Sequence, residues 1–255
     1  MRIVVKVGTS TLAHPSGLIN IRRVEELCKV MSDLKNAGHD IILVTSGAIG
    51  MGTGKLQLSE RPRDVAAKQA AAAVGQCELM YTYDKLFAEY NHTVAQLLMT
   101  GSDFENEERH INFKNTMDKL LEFKALPIIN ENDTVATDEI KVGDNDTLSA
   151  MVAVNVNADL LILLSDIDGL FTADPHNNPD AKLISVVSEI GDDILALGGD
   201  VGSGLGTGGM RTKLHAAEIC TENNCDMIIA NGKDPNVLYD IVEGKAVGTR
   251  FIKRG

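Results

Sequence analysis

Short apolar runs of strand type alternate with segments of helical period along the whole chain. Arg2–Val7 is a β-branched run and residues 41–44, Ile-Ile-Leu-Val, form a second. Between them Val24, Leu27, Cys28, Met31 and Leu34 recur at spacings of three and four, which predicts a helix that Gly38 stops. An Ala-rich helix is expected over residues 62–90, with an interruption at Gly75. Residues 94–99 read as a strand, 111–123 as a helix and 126–129 as a strand. Val135, Ile140 and Val142 interleave with polar residues, which suits a short hairpin over 136–142. Residues 148–156 have a helical pattern, and 160–164 are an unbroken apolar run of the kind a central parallel strand requires. Helix (210–223), strand (227–230) and helix (235–242) close the chain.

This alternation predicts an α/β fold with a mostly parallel sheet and helices on both faces. Ligands of such sheets bind outside the carboxyl ends of the strands. The residues that follow four strands are Gly8-Thr9-Ser10, Thr45-Ser46-Gly47-Ala48, Asn130-Glu131-Asn132-Asp133 and Ser165-Asp166-Ile167-Asp168-Gly169. All are small and polar, as one sheet edge serving as a site requires.

Composition narrows the partners. A chain of 255 residues can bury about 70% of its extended surface, enough for a core without metal or disulfide staples. Aromatics make up only 4%, so that core is aliphatic. The 24 Lys and Arg against 36 Asp and Glu give a net charge of −12, which argues against nucleic acid and anionic membranes as partners. The longest stretch free of these charged residues, 7–21, is broken by Gly8, Pro15 and Gly17, and the N-terminus lacks a signal-peptide pattern. Cys28, Cys77, Cys220 and Cys225 form no C-x-x-C pair and read as reduced thiols of a cytoplasmic protein. The six histidines include no metal-binding pair, and no metal-ligating side chain is expected.

Residues 198–209 carry seven glycines in twelve positions and lead into Met210-Arg211-Thr212-Lys213 at the start of a predicted helix. Glycine lets backbone N–H groups close on a phosphate, the helix start adds positive potential and Lys213 adds a full charge. The alternative is a flexible surface loop. The run contains a G-x-G-x-x-G match, but no apolar strand precedes it; Gly54-Lys55 and Gly232-Lys233 lack the Ser or Thr of a Walker loop. Lys6 lies within the first strand, where an ammonium is costly unless it meets an anion or snorkels from an edge. Lys6 and Lys213 could clamp a phosphoryl group from opposite sides. Asn130 to Asp133 and Gly143-Asp144-Asn145-Asp146 are either solvated turns or a cluster that holds an ammonium, a Mg²⁺-nucleotide or the lysines. Asp166-Ile167-Asp168-Gly169 lacks the further ligands of a calcium loop, and there is no G-x-S-x-G elbow.

Together these segments resemble the amino acid kinase family over nearly the whole chain. The resemblance is carried by Lys6-Val7-Gly8-Thr9-Ser10, Thr45-Ser46-Gly47-Ala48, Asp168-Gly169-Leu170-Phe171-Thr172-Ala173-Asp174-Pro175 and Gly206-Thr207-Gly208-Gly209-Met210. Ile129-Asn130-Glu131-Asn132-Asp133 and Lys141-Val142-Gly143-Asp144-Asn145-Asp146 narrow it to the branch whose acceptor is L-glutamate. It implies a three-layer αβα sandwich and transfer of phosphate from ATP, with Mg²⁺, to the γ-carboxylate of L-glutamate, the first step of L-proline synthesis. By position Lys6, Lys213 and Asp146 would be catalytic. Lys6, Gly8, Ser165, Asp166, Thr207, Gly208, Gly209, Met210, Arg211, Thr212 and Lys213 would hold ATP. Ser46, Gly47, Asp133 and Asn145 would hold glutamate.

The resemblance further implies L-proline as a feedback inhibitor and a homo-oligomer, dimer or tetramer. One kinase domain over 1–255 is expected, with a substrate lobe over roughly 1–155, a nucleotide lobe over roughly 156–255 and no room for the C-terminal PUA domain of many relatives. The rival readings are kinases of acetylglutamate, aspartate, carbamate or a nucleoside monophosphate, a non-catalytic nucleotide sensor, and a dinucleotide-dependent oxidoreductase. The acids of the segments Asn130 to Asp133 and Asp144 to Asp146 argue against an acetylated amine, which would leave them unpaired, and against a phosphorylated acceptor, which they would repel.

Overall fold

Strand β1 (Arg2–Val7) is buried at every residue after Arg2 and lies in the middle of the sheet. It pairs in parallel with β2 (Asp40–Val44) on one side and β5 (Leu160–Ser165) on the other. The computed structural model describes residues 1–14, 18–135, 145–175, 177–199 and 209–254. Between β1 and β2 come α1 (Thr9–Leu12) and α2 (Ile21–Asn36). From β2 to β5 the chain forms α3 (Ala48–Lys55), α4 (Val65–Ala88), β3 (Val94–Met99), α5 (Gly101–Glu105), α6 (Glu107–Glu122), β4 (Leu126–Glu131) and α7 (Asn145–Asn155). After β5 come β6 (Val186–Val187), α8 (Asp192–Ala196), α9 (Met210–Glu222), β7 (Asp226–Asn231), α10 (Val237–Val242) and β8 (Thr249–Phe251).

The sheet order is β3-β4-β2-β1-β5-β7-β8-β6, and every pairing is parallel except β7 with β8. Helices cover both faces, which makes the expected three-layer αβα sandwich. Successive residues of a strand face opposite layers. Ile3, Val5 and Val7 therefore pack with Leu27 and Met31 of α2 and Leu79 and Phe87 of α4, while Val4 packs into the opposite layer with Met117 of α6, Leu148 of α7 and Leu214 of α9. Lys6 shares the parity of Val4, so its side chain enters the α7–α9 layer.

Local chemistry sets the helix starts. The Asn20 side chain accepts a hydrogen bond from the Arg23 N–H at 3.3 Å, and Asp64 accepts one from Ala67 at 2.9 Å. Gly38, just past α2, takes a φ of +97°, as its role as a stop predicts.

Three expectations are corrected. Gly75 does not interrupt α4; it lets the helix cross α3 backbone on backbone. A Cβ at Gly75 would lie 1.8 Å from the Ala48 carbonyl oxygen, and one at Gly52 would lie 1.8 Å from that of Ala71. β4 runs to Glu131 rather than to 129, and α7 starts at Asn145 rather than at 148, so Asn145 and Asp146 are helical; Thr9 and Ser10, which follow β1, begin α1. The expected hairpin over 136–142 lies outside the described residues. Helices α3, α5 and α8 and strands β6 and β8 had no sequence expectation, since such short segments carry too few residues for a period to show.

The strand order places the site. From β1 the sheet grows to one side through β2, β4 and β3, and to the other through β5 and β7. The crevice outside the carboxyl ends of β1 and β5 lies at this reversal, where ligands of such sheets bind.

Candidate active site

Lys6 sits one residue before the carboxyl end of β1, beside Val44 of β2 and Leu163 of β5. Its Nζ lies 2.5 Å from Oδ1 of Asp146, and Lys213 Nζ donates to Oδ2 of the same carboxylate at 2.9 Å. All three are buried, with Lys6 8%, Lys213 5% and Asp146 0% exposed. They come from three elements: β1, the first turn of α7 and the first turn of α9. Burial alone would raise the Asp146 carboxyl, but Lys6 and Lys213 together draw it well below the usual carboxylate range. Two ammoniums thus meet on one buried carboxylate beside the crevice.

Thr212 extends the cluster. Its hydroxyl lies 3.3 Å from Asp146 Oδ2 and donates to the Gly209 carbonyl at 2.8 Å, which closes the first turn of α9. Gly8 lies beside the lysine, since a Cβ there would be 3.9 Å from Lys6 Nζ. Met210 is half-buried and Arg211 is exposed on the same turn. Thr207 and Gly208 lie outside the described residues, as do Gly143 and Asp144.

A second network adjoins the first through the Asn145–Asp146 peptide. The Asn145 amide Nδ2 donates to the Ser46 hydroxyl at 2.8 Å, to Asn130 Oδ1 at 2.8 Å and to the Thr45 carbonyl. All of these bonds use the nitrogen, so among the described residues Asn145 Oδ1 is left to accept from a ligand. Gly47 follows at the start of α3 with a φ of +100°, a conformation that glycine adopts without strain. Asp133 lies in the turn after β4 and makes none of the bonds of this network among the described residues. Its carboxyl is raised above the ordinary range, first by burial, with Arg61 pulling it partly back. The Ser165 hydroxyl donates to Asp166 at 3.1 Å at the end of β5.

Sequence reasoning did not reach Gln76 or Tyr83. Asn130 Nδ2 donates to Gln76 Oε1 at 2.9 Å, and the Tyr83 hydroxyl lies 2.8 Å from Thr45 Oγ1. Their one signal is a polar atom on the buried face of α4, at Gln76 and again at Tyr83.

Among the described residues no group of three or more His, Cys, Asp or Glu could hold a metal ion, and no helix is long and apolar enough to cross a membrane. Both oxygens of Asp146 face ammonium groups. The cluster thus fits a cation that arrives on phosphate oxygens better than one ligated by this carboxylate.

The sequence profile of the amino acid kinase family matches residues 1–231. The chain is 55% identical over 249 residues to glutamate 5-kinase of Clostridium tetani, covering 98% of this chain and 93% of that protein. It is 53% identical to glutamate 5-kinase of Caldanaerobacter subterraneus, covering 99% of this chain and 68% of that longer one. Among solved structures, UMP kinase from Bacillus anthracis superposes over 100% of this chain and 96% of its own, with a TM-score of 0.67 at 17% identity, a likeness of fold.

Proposed function

The chain belongs to the amino acid kinase family, and from that premise we propose that it transfers the γ-phosphoryl group of ATP to the γ-carboxylate of L-glutamate. The products are L-glutamyl 5-phosphate and ADP, and the reaction opens L-proline synthesis. The glutamate 5-kinase relatives support the acceptor. The observation that carries the chemistry is the pair of buried ammoniums held on one carboxylate, at 2.5 and 2.9 Å.

An oxygen of the substrate carboxylate attacks the γ-phosphorus in line. The new O–P bond forms as the bond to the β–γ bridging oxygen breaks, and ADP leaves with that electron pair. The attacking group is already an anion, so no general base is needed. Lys6 and Lys213 neutralise the charge that spreads over the phosphoryl oxygens, and Asp146 keeps them apart and aimed. Mg²⁺ bound to the nucleotide would neutralise the β- and γ-phosphate oxygens.

Asn145 Oδ1 and the Asp133 carboxylate suit the substrate ammonium, and Ser46 and the backbone at Gly47 suit a carboxylate. Gly8, Ser165, Asp166 and residues 209–213 suit the nucleotide side, and Thr207 and Gly208 are assigned to it by the sequence motif alone. We accordingly take 1–155 as the acceptor lobe and 156–255 as the nucleotide lobe.

The test is ADP release from Mg-ATP with L-glutamate, beside aspartate, N-acetylglutamate and UMP, with hydroxylamine present to trap an acyl phosphate. Glutamate-dependent turnover with a trapped hydroxamate is expected, and titrated L-proline should suppress it. Turnover with another acceptor alone would overturn the reading.

A further inference from the structure

We propose that α4 sets the acceptor site from behind, with Gln76 and Tyr83 as positioning residues that hold Asn130 and Thr45 in register around Asn145. This rests on the reading of L-glutamate as acceptor. Neither residue belongs to the lysine–aspartate cluster. Gln76 and Tyr83 are seven apart, two turns of one helix face, and are 7% and 1% exposed.

The hydrogen bonds run in one direction. Asn130 Oδ1 accepts from Asn145 Nδ2 at 2.8 Å and from the Glu131 N–H at 2.9 Å, and its Nδ2 donates to Gln76 Oε1 at 2.9 Å. With Gln76 in place, the Asn130 amide cannot turn over without setting two NH₂ groups against each other at Asn145. Asn145 in turn bonds Ser46 and the Thr45 carbonyl. The second strut is the Tyr83 phenol, which burial pushes up and keeps protonated; it meets Thr45 Oγ1 at 2.8 Å, and Thr45 Oγ1 lies 3.4 Å from the Ser46 carbonyl. The two struts meet the carboxyl end of β4 and the loop after β2, and both lines end at Asn145.

The energetics favour a role in the site over a role in the core. Gln76 Nε2 is buried and has no hydrogen-bond partner among the described residues. An orphaned buried donor destabilises the fold, and an apolar side chain of the same length would remove that cost. The amide therefore serves its one bonded neighbour, Asn130. The backbone crossing at Gly75 and Ala48 fixes the height of α4 against α3, so the struts cannot slide.

Gln76→Met keeps the side-chain volume and removes the acceptor. The expected result is a rise in the KM for L-glutamate of about tenfold, the weight of one buried hydrogen bond, with the KM for ATP within about twofold of the parent. Tyr83→Phe, which removes only a hydroxyl, should raise the same KM by about threefold. In an Asn130→Ala background Gln76→Met should add nothing, because its effect passes through Asn130. If Gln76→Met fails to fold, Tyr83→Phe carries the test.

Glutamate KM values within about twofold of the parent would overturn the proposal, as would glutamate and ATP KM rising together or additivity with Asn130→Ala. If the parent enzyme turns over another acceptor instead, the assignment of L-glutamate falls, and the KM for that acceptor tests the struts in the same way.

Discussion

At the scale of the residue, charge balance in a dry crevice governs the site. In the proposed reaction Lys6 and Lys213 act on charge that develops in the transition state, so Lys6→Ala or Lys213→Ala should lower kcat with little change in either KM. By comparison with the loss of a single oxyanion-hole donor the cost is about 2–4 kcal/mol, read by steady-state kinetics. Asp146→Asn strands two buried ammoniums without their counter-ion and should lower stability by about 3–5 kcal/mol in urea unfolding at neutral pH. The sign with pH follows from its depressed carboxyl. That stability is present above the unfolded value of about 3.9 and is lost as pH falls through the lower folded value, so the gap between parent and variant should narrow in acid. Asp133 behaves oppositely. Its raised carboxyl becomes neutral at a pH where an ordinary one is still ionised. Its pull on a substrate ammonium should fade as pH drops, and the KM for L-glutamate should begin to rise at a higher pH than an ordinary carboxyl would set, a dependence that Asp133→Asn abolishes.

At the scale of the element, the α3–α4 pair decides how the acceptor loop sits. Gly75→Ala would place a methyl 1.8 Å from the Ala48 carbonyl oxygen, a backbone atom with nowhere to go. The helices must separate, with a stability loss of about 1–3 kcal/mol or more. Because α3 begins just after Gly47, the KM for L-glutamate should rise with it, and thermal melts beside kinetics would show both. The strands and long helices were legible in the sequence because each repeats its own period over many residues. Arg2–Val7 and Val94–Met99 match residue for residue. Gly75 was misread because a glycine within a helical pattern signals a break or a close approach equally, and only the partner helix distinguishes them. The supports at Gln76 and Tyr83 were invisible for a related reason. A polar atom on a buried helix face names no partner, and theirs lie far away in the chain, at Asn130 and Thr45.

At the scale of the whole molecule, one sheet runs from β3 at one edge to β6 at the other, with β1 and β5 at its centre. Hydrogen exchange should be slowest at amides of β1 and β5 and fastest at those of β6 and β8, since the central strands open only with global unfolding. Equal protection across the sheet would contradict this. The sequence by itself determined the class of fold, the family and the polar residue types that gather at one edge of the sheet. These depend on period and on local chemistry, which neighbouring residues express. The tertiary structure alone decided that Lys6, Asp146 and Lys213 form one ion cluster and that Asn145 joins it to Ser46 and Asn130. Those contacts close across three elements separated by more than a hundred residues, from Lys6 to Asp146, and by 67 more from Asp146 to Lys213. No local pattern encodes such distances; the order of strands in the sheet does.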